Sequence, residues 1–499
     1  MHVDFRSERH LIHVPGTERV FNRLKVLVVL MIPLAMSLMS ISSINVALPT
    51  IEASIGASDT SIQWMLSGYA LVFGMLLVPA GRLGDAIGRG TVWITGVAVF
   101  SVSSLVCGMV SDPFLLNIAR VAQGVGAGIL NPQTIGMIQQ YFRGQGRARA
   151  YSVFGLVISA SVAAGPLLTG LIIRGIGPHN GWRASFLWNA PLGFLGIALA
   201  LMWFPFDLER QRRHAKQAGA YKHTKLDLDP LAMVLLALAV LCVMLPFMLK
   251  TGPGFLLIPL AAVLMVIWVR WERSYAAHGR QPMVDLKLFR YRSFTHATAV
   301  SATQFLGGTS IFVLVALFLQ DGMHVSALQA GMIGLPNAVL SACSSLWCGR
   351  QALRRGRNLV IFGLSCIFLG VLGASWMGGQ IMNNGVNFWW LMAPLALVGV
   401  GNGCMTGCNQ TLSMLEVPPK EGGVAGGVKS TTERVSTAIG NAVITAVFFV
   451  LVSQGWDVAL TRAYQVIALI IAVAIGVAIF DRVTLGRGAP PTPISLSKS

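Results

Sequence analysis

Arg120 is the residue whose chemistry stands out in this chain of 499 residues, because it lies inside a largely apolar run from residue 113 to residue 140. A run of that length is sufficient for a membrane-spanning helix, which needs about 20 mostly apolar residues. An unpaired charge inside lipid is costly, so Arg120 is expected to face a cavity or a partner and to have a functional role. Gln123 should share its face, because residues three positions apart are neighbours on a helix.

A second group of charges lies between two apolar runs, in the segment Gly81-Arg-Leu-Gly-Asp-Ala-Ile-Gly-Arg89. We interpret it as a tight basic turn whose glycines let two helices approach closely. Asp85 can pair with an arginine such as Arg89, or it can cap the start of a helix. The segment therefore predicts a gating contact, which must open and re-form, and such a contact is more typical of a transporter than of a static membrane anchor.

The composition indicates a membrane protein, since 54% of the residues are hydrophobic and only 11% are charged, whereas soluble domains carry about 25% charged residues. We expect an all-α membrane protein of about fourteen transmembrane helices. The predicted spans are 24–49, 61–80, 91–110, 113–140, 148–173, 184–206, 230–249, 254–270, 295–320, 327–349, 358–378, 387–412, 430–453 and 463–481.

The net charge of +18 does not indicate nucleic-acid binding, because the basic residues alternate with the predicted spans. With a cytoplasmic N-terminus, all but five of the 37 lysines and arginines lie in cytoplasmic segments or, as Lys25, Arg149, Arg270 and Arg434 do, within the last few residues at the cytoplasmic end of a span. The exceptions are Arg120 within a span and, in outer loops, Arg174, Arg183, Lys250 and Arg462. This bias predicts that both termini are cytoplasmic in a multi-pass protein of the plasma membrane. The seven cysteines lack metal-binding or redox spacing, and no cofactor or metal is expected.

A weak internal repeat predicts two related halves. Gly81-Arg82…Gly88-Arg89 recurs as Gly349-Arg350…Gly356-Arg357, with Leu353 at the position of Asp85. We therefore expect two pseudo-symmetric six-span halves, at residues 1–206 and 295–499, with a linker and two inserted spans at 207–294.

Several less charged positions are further candidates. Gly165 and Pro166, with Gly170, predict either a hinge in the fifth span or a surface for close helix packing. Polar residues within spans either line a substrate cavity or form interhelical hydrogen bonds, and the cavity candidates are Ser40, Asn45, Asn189, Gln304 and Asn409. The segment Gly422–Ser430 lacks the spacing of a phosphate-binding loop and is expected to be a flexible cytoplasmic loop.

Four motifs together carry a resemblance to a known family. They are Asn45-Val-Ala-Leu-Pro49, Arg120-Val-Ala-Gln-Gly-Val-Gly-Ala-Gly128, Ala164-Gly-Pro-Leu-Leu-Thr-Gly170 and Gly181-Trp-Arg-Ala-Ser-Phe-Leu-Trp-Asn-Ala-Pro191. With the segment 81–89, they resemble the signatures of the major facilitator superfamily, in its fourteen-span drug:proton antiporter branch. The resemblance implies multidrug efflux, proton coupling through Arg120, and an interface between the two halves at Gly165, Pro166 and Gly170.

The chain departs from that branch at Ser40, where the resemblance implies an aspartate five residues before Asn45. A buried carboxylate is the simplest proton carrier and the simplest anchor for an organic cation. Its absence favours neutral or anionic lipophilic substrates, with Arg120 as the only deep charge.

The leading hypothesis is a secondary active exporter of lipophilic small molecules, whose partners are its substrate, protons and the lipid bilayer. An exporter of one native metabolite without a proton step is the second hypothesis. A polytopic membrane enzyme and a non-transporting scaffold are less favoured, because the histidines are scattered and Arg120 is buried. The sequence leaves the oligomeric state open.

Overall fold

The computed structural model describes residues 11–13, 20–206, 229–249 and 252–486, and this part of the chain is nearly all helical, as predicted. Two short strands, β1 (Leu11–His13) and β2 (Val20–Asn22), form an antiparallel pair before the first helix. The α-helices are α1 (Arg23–Ile55), α2 (Asp59–Ile87), α3 (Arg89–Met109), α4 (Pro113–Tyr141), α5 (Gly144–Ile176), α6 (Pro178–Leu187), α7 (Asn189–Trp203), α8 (Pro230–Leu249), α9 (Leu257–Ala277), α10 (Arg292–Gly308), α11 (Ser310–Leu317), α12 (Ala327–Met332), α13 (Leu335–Gly349), α14 (Ala352–Asn384), α15 (Met392–Ser413), α16 (Gly422–Leu451) and α17 (Trp456–Leu485).

Thirteen helical segments of the described chain are long and apolar enough to cross a membrane. The tenth predicted span, 327–349, is divided between α12 and α13, and neither helix alone is long enough to count as a membrane-spanning segment. The division precedes a proline in the first turn of α13, a position where proline is favoured because its missing N–H has no partner in the helix. The fourteenth crossing thus stays a prediction. Residues 207–228 of the predicted linker segment 207–229 lie outside the described residues.

The chain divides into two compact units. The first unit contains residues Met1–Phe142, Ser161–Leu286 and Pro419–Val435. In it, α2 and α3 pack on α4, and α1 and α3 pack on α7. The inserted pair, α8 and α9, packs together, and α8 contacts α2.

The second unit contains Arg143–Ala160, Lys287–Pro418 and Ser436–Ser499. Here α13 and α14 pack on α15, and α10 and α14 pack on α17. The order of pairing within this unit is the same as that of α1, α2, α3, α4 and α7 within the first unit. Two internally similar helix groups with an additional inserted pair therefore form the predicted fold.

The segment from Gly81 to Arg89 differs from the predicted turn, because α2 continues as a helix to Ile87 and α3 begins at Arg89. Only Gly88 interrupts the helical backbone, with φ 124°, a conformation that glycine tolerates because it has no Cβ. Asp85 consequently projects from a helix and not from a loop.

The expectation of a flexible loop at Gly422–Ser430 is wrong, since these residues form the first turns of α16. Their glycines are helical because they allow close packing. A Cβ on Gly427 would lie 2.5 Å from the Leu77 carbonyl oxygen, and one on Gly81 would collide with the backbone of Gly423. Close contact between helices compensates here for the low helix propensity of glycine.

Candidate functional site

Arg120 is fully surrounded by protein in the first unit, with 1% of its surface exposed. Its guanidinium donates hydrogen bonds to the Met65 carbonyl oxygen at 3.3 Å, to Ser40 Oγ at 3.1 Å and to Gln123 Oε1 at 2.5 Å. These acceptors come from α2, α1 and α4. The predicted proximity of Arg120 and Gln123 is observed, and Gln123 in turn donates to Ser104 Oγ of α3 at 2.6 Å.

Aromatic rings complete the surroundings of this charge. The Arg120 guanidinium lies 4.5 Å from the ring centre of Tyr69 and 5.7 Å from that of Phe186. Among the residues that the structure describes, no carboxylate forms an ion pair with Arg120. The positive charge is therefore stabilised by neutral oxygens and aromatic faces, which leave its net charge uncompensated.

Ser40, the position at which the sequence lacks an expected aspartate, is one of the three residues that bind Arg120. It is buried in α1. A carboxylate at this position would lie within ion-pair distance of the guanidinium, whereas the serine hydroxyl supplies only a neutral acceptor.

A second polar network in the first unit connects α2, α3, α4 and the start of α16. Arg89 and Asp85 form an ion pair of 2.6 Å, with both side chains buried. Asp85 accepts hydrogen bonds from the backbone N–H groups of Gly423 at 3.3 Å and Val424 at 3.0 Å. These N–H groups belong to the first turn of α16, where they have no partner within the helix and where the macrodipole favours a negative charge.

Arg89 extends the network to two further segments. It donates to the Gly136 carbonyl oxygen of α4 at 2.5 Å and to the Pro419 carbonyl oxygen, just before α16, at 2.6 Å. Both roles considered for Asp85 in the sequence, pairing with an arginine and capping a helix, are thus present together. Separation of α16 from α2 and α3 would break the bonds from Gly423 and Val424 to Asp85 and the bond from Arg89 to the Pro419 carbonyl oxygen.

Arg434 is a second deep charge, which the sequence analysis did not include among the candidate site residues. It lies on α16, and its guanidinium is 5.2 Å from the ring centre of Phe73. Its buried Nε has no hydrogen-bond partner among the described residues. In the sequence, Arg434 lies within the predicted span 430–453, and a charge within a span can indicate a functional site. Because it is near the predicted cytoplasmic end of that span, the sequence analysis counts it among the basic residues that mark the cytoplasmic side.

The glycines of the fifth span have different surroundings. A Cβ on Gly165 would lie 2.9 Å from the Met39 carbonyl oxygen of α1, whereas one on Gly170 would meet only Val46 at 3.9 Å. Pro166 lies inside α5, which continues as a helix on both sides of it. Close packing against α1 accounts for Gly165, and a hinge role for these residues stays a prediction.

The other predicted cavity residues are separated in the fold. Asn189 is buried near the start of α7 in the first unit, and its amide donates to Ser185 O at 3.4 Å. In the second unit, Gln304 donates to Asn402 at 3.4 Å, and Asn409 donates to Ala297 O at 2.8 Å and Ser301 Oγ at 2.7 Å. Asn409 thus makes interhelical hydrogen bonds, one of the two predicted possibilities. The side chain of Asn45 lies outside what the structure describes.

Glu272 is a buried acid that no sequence pattern indicated. The predicted eighth span ends at residue 270, but α9 continues to Ala277 and includes Glu272, which is 1% exposed. Its Oε1 accepts from the backbone N–H of Val284 at 3.1 Å. No group of three or more metal-binding side chains occurs in the described part of the chain.

Comparisons with known proteins agree with this architecture. The sequence profile of the Major Facilitator Superfamily matches residues 30–441. The probable actinorhodin transporter of Streptomyces coelicolor is 30% identical over 427 residues, which are 84% of this chain and 71% of that protein. The multidrug resistance protein Stp of Mycobacterium tuberculosis is 27% identical over 431 residues, covering 84% and 75% of the two chains.

A solved structure shares the fold. The human organic anion transporter MFSD10 superposes with a TM-score of 0.65 at 13% identity, over 91% of this chain and 99% of that one. The family profile and the relatives each match most of the chain, and the shared fold is the helical architecture described above. This chain belongs to the Major Facilitator Superfamily, and it is a multi-pass membrane transporter and not an enzyme.

Proposed function

We propose that this protein exports lipophilic small molecules across the plasma membrane by alternating access, driven by the proton gradient. The observation that carries the proposal is the buried network of Asp85, Arg89 and the first turn of α16. A set of charged contacts between helix ends is well suited to form in one conformation and break in another. The names of the relatives, which include a multidrug resistance protein, support drug-like substrates.

In this proposal the halves 1–206 and 295–499 rock about a central cavity, and residues 207–294 supply the linker and the inserted helices. Asp85 and Arg89 act in gating. Arg120 and Gln123 act in coupling to protons, and Gly165, Pro166 and Gly170 accommodate movement of α5. Ser40, Asn45, Asn189, Gln304 and Asn409 are the proposed cavity residues.

Transport into proteoliposomes tests this function. Purified protein is reconstituted, a pH gradient is imposed, and accumulation of rhodamine 123, fluorescein and radiolabelled chloramphenicol is followed with and without a protonophore. Gradient-dependent accumulation of at least one probe is expected. Accumulation that the protonophore does not change would contradict proton drive, and absence of transport for all three probes would contradict general lipophile export.

The alternative is an exporter of one native metabolite without a proton step. The observation that favours it is the neutral environment of Arg120, where Ser40 replaces the expected acid. Transport of a single probe, or of none, together with insensitivity to the protonophore would favour this alternative.

A further inference from the structure

Two arginines approach one aromatic stripe of α2 in the first unit. Tyr69 and Phe73 are one turn apart, with ring centres separated by 6.1 Å. Arg120 lies over Tyr69 at 4.5 Å, and Arg434 lies over Phe73 at 5.2 Å. Tyr69 is within electrostatic reach of both guanidiniums. We refer to these four side chains as the arginine–aromatic cluster.

Among the described residues, neither arginine of the cluster forms an ion pair with a carboxylate. Arg120 donates only to neutral oxygens. Glu433 precedes Arg434 and is within electrostatic reach of it, but its carboxylate also forms an ion pair with Lys429 at 2.6 Å, so this acid and this lysine together add no net charge beside the cluster. Arg434 is half-buried and makes no hydrogen bond with a described residue.

The cluster therefore has two positive charges in excess. Charges removed from water without a counter-ion are unfavourable, and an anion that enters their neighbourhood is stabilised by both. A cation would experience repulsion from the same two charges. Carboxylates and phenolates are also the groups that a guanidinium binds best, through charge-assisted hydrogen bonds.

The aromatic side chains of the cluster indicate the chemistry of the remainder of the ligand, beyond its acidic group. Tyr69 and Phe73 are buried in this structure, so a ligand would contact their rings in a conformation in which the cluster is open. There the rings favour contact with another aromatic ring in a tilted or offset arrangement. A ligand with a fused or linked aromatic body and one acidic substituent would satisfy the rings and the guanidiniums together.

We infer that the arginine–aromatic cluster is a binding site for aromatic anions, and that the exported substrates carry a carboxylate or phenolate on an aromatic body. This inference rests on the proposed export function, whose substrate class it specifies. It assigns Arg434 and Phe73 to substrate recognition.

Two xanthene dyes of similar ring system and opposite charge provide the test. The anion fluorescein and the cation rhodamine 123 are titrated with purified wild-type protein in detergent, and their fluorescence anisotropy reports binding. Fluorescein should bind at least about tenfold more tightly, which corresponds to about 1.4 kcal/mol. Equal binding, or tighter binding of rhodamine 123, would overturn the inference without the need for any variant.

Variants locate the site. Arg434→Gln should weaken fluorescein binding by about tenfold, and Arg434→Lys should weaken it less because the charge is kept. The matched control is Arg270→Gln, at an exposed arginine of α9, which should bind as wild type does. Equal affinities of Arg434→Gln and wild type for fluorescein would remove Arg434 from the site.

Transport in proteoliposomes separates this inference from the function on which it rests. Export of fluorescein in preference to rhodamine 123 supports both. Export of rhodamine 123 or chloramphenicol without fluorescein contradicts only the anion site. If fluorescein binds as predicted but none of the three probes is transported, the site holds and the proposed export function fails.

Discussion

At Arg120, one planar side chain holds together oxygens from three helices. The guanidinium has donors directed to Ser40, Met65 and Gln123 at the same time, and its flat face lies against Tyr69. A lysine has the charge but not this fork, and burial favours loss of its proton. We expect Arg120→Lys to reduce the rate of export by about tenfold, equivalent to about 1.4 kcal/mol.

The control for this substitution is Arg183→Lys. Arg183 also donates to a carbonyl oxygen, that of Val110 at 2.7 Å, and lies over an aromatic ring, that of Trp182 at 4.4 Å. Its position near a helix start at the membrane boundary lets a lysine reach water. Initial rates of dye export, normalised to the amount of folded protein, should separate the two variants, and equal rates would reduce Arg120 to a generic positive charge.

Ser40→Asp should change both the coupling and the preferred substrate charge. The new carboxylate would pair with Arg120, remove one of the two excess charges, and provide a buried group that can carry a proton. We expect a stronger response of rhodamine 123 export to an imposed pH gradient and weaker export of fluorescein. Ser40→Asn, which adds similar volume without charge, should leave the gradient response unchanged. The same response in both variants would exclude the charge as its cause.

Part of this site could be predicted from the sequence alone. Arg120 and Gln123 are close because of helix periodicity, which is a local property. The bond from Arg120 to Ser40 and the approach of Arg434 to Phe73 join residues far apart in the chain. Their distances depend on how helices pack, which neither composition nor spacing determines.

At the scale of helices, the contact between α2 and α16 depends on the absence of side chains. Gly427→Ala places a Cβ 2.5 Å from the Leu77 carbonyl oxygen, so α16 must move away from α2. We expect lower thermal stability and reduced export. Gly476→Ala in α17 is the control, since nothing lies within 4 Å of its added Cβ, and it should be neutral or stabilise by up to about 1 kcal/mol. Thermal unfolding in detergent compares the two, and equal melting temperatures would contradict the packing role.

Asp85→Asn tests the charge that joins α2 to α16. Gly423 and Val424 donate to different oxygens of the Asp85 carboxylate, so an asparagine, with its single acceptor oxygen, can keep only one of these two bonds. The ion pair with Arg89 and the interaction with the helix macrodipole are lost as well. We expect membrane insertion to persist and export to fall by about tenfold.

Asp112→Asn is the matched control for that charge. Asp112 caps α4 through the N–H of Leu115 at 2.8 Å, is exposed, and has no arginine partner in the described part of the chain. Asparagine is an equally good cap there. Normal export by the Asp85→Asn variant would show that the ion pair with Arg89 is not needed for the conformational change.

The ends of the helices were harder to predict than their number. Four glycines between Gly422 and Gly427 resemble a loop by composition, but in a packed membrane helix the same residues permit close contact. The contacts of the second copy of the basic repeat were also hard to predict. Arg357 lacks a carboxylate at the position of Asp85 and instead pairs with Asp481 of α17 at 2.9 Å, a partner that no local pattern indicated.

For the whole molecule, the fold was predictable because lipid imposes simple rules. Each crossing requires about 20 apolar residues, and the basic residues follow the cytoplasmic side. The pairing of helices repeats between the two units, as the sequence repeat implied. The tenth segment contains a helix break that a count of apolar residues does not detect, and this is why thirteen segments, and not fourteen, are long enough to cross a membrane in the described part of the chain.

The topology therefore depends on whether α12 and α13 together cross the membrane. Residues 327–349 provide about 34 Å of helix at about 1.5 Å per residue, against about 30 Å of hydrocarbon. If they cross, the basic segment Arg350–Arg357 is cytoplasmic, and so is the C-terminus; if they do not, this segment faces outward against the charge rule. We expect a C-terminal tag to be inaccessible in intact cells, and a tag inserted after Asn384 to be accessible. The reverse labelling, with the C-terminal tag outside and the inserted tag inside, would mean that α12 and α13 re-enter on the same side and that the protein has thirteen crossings.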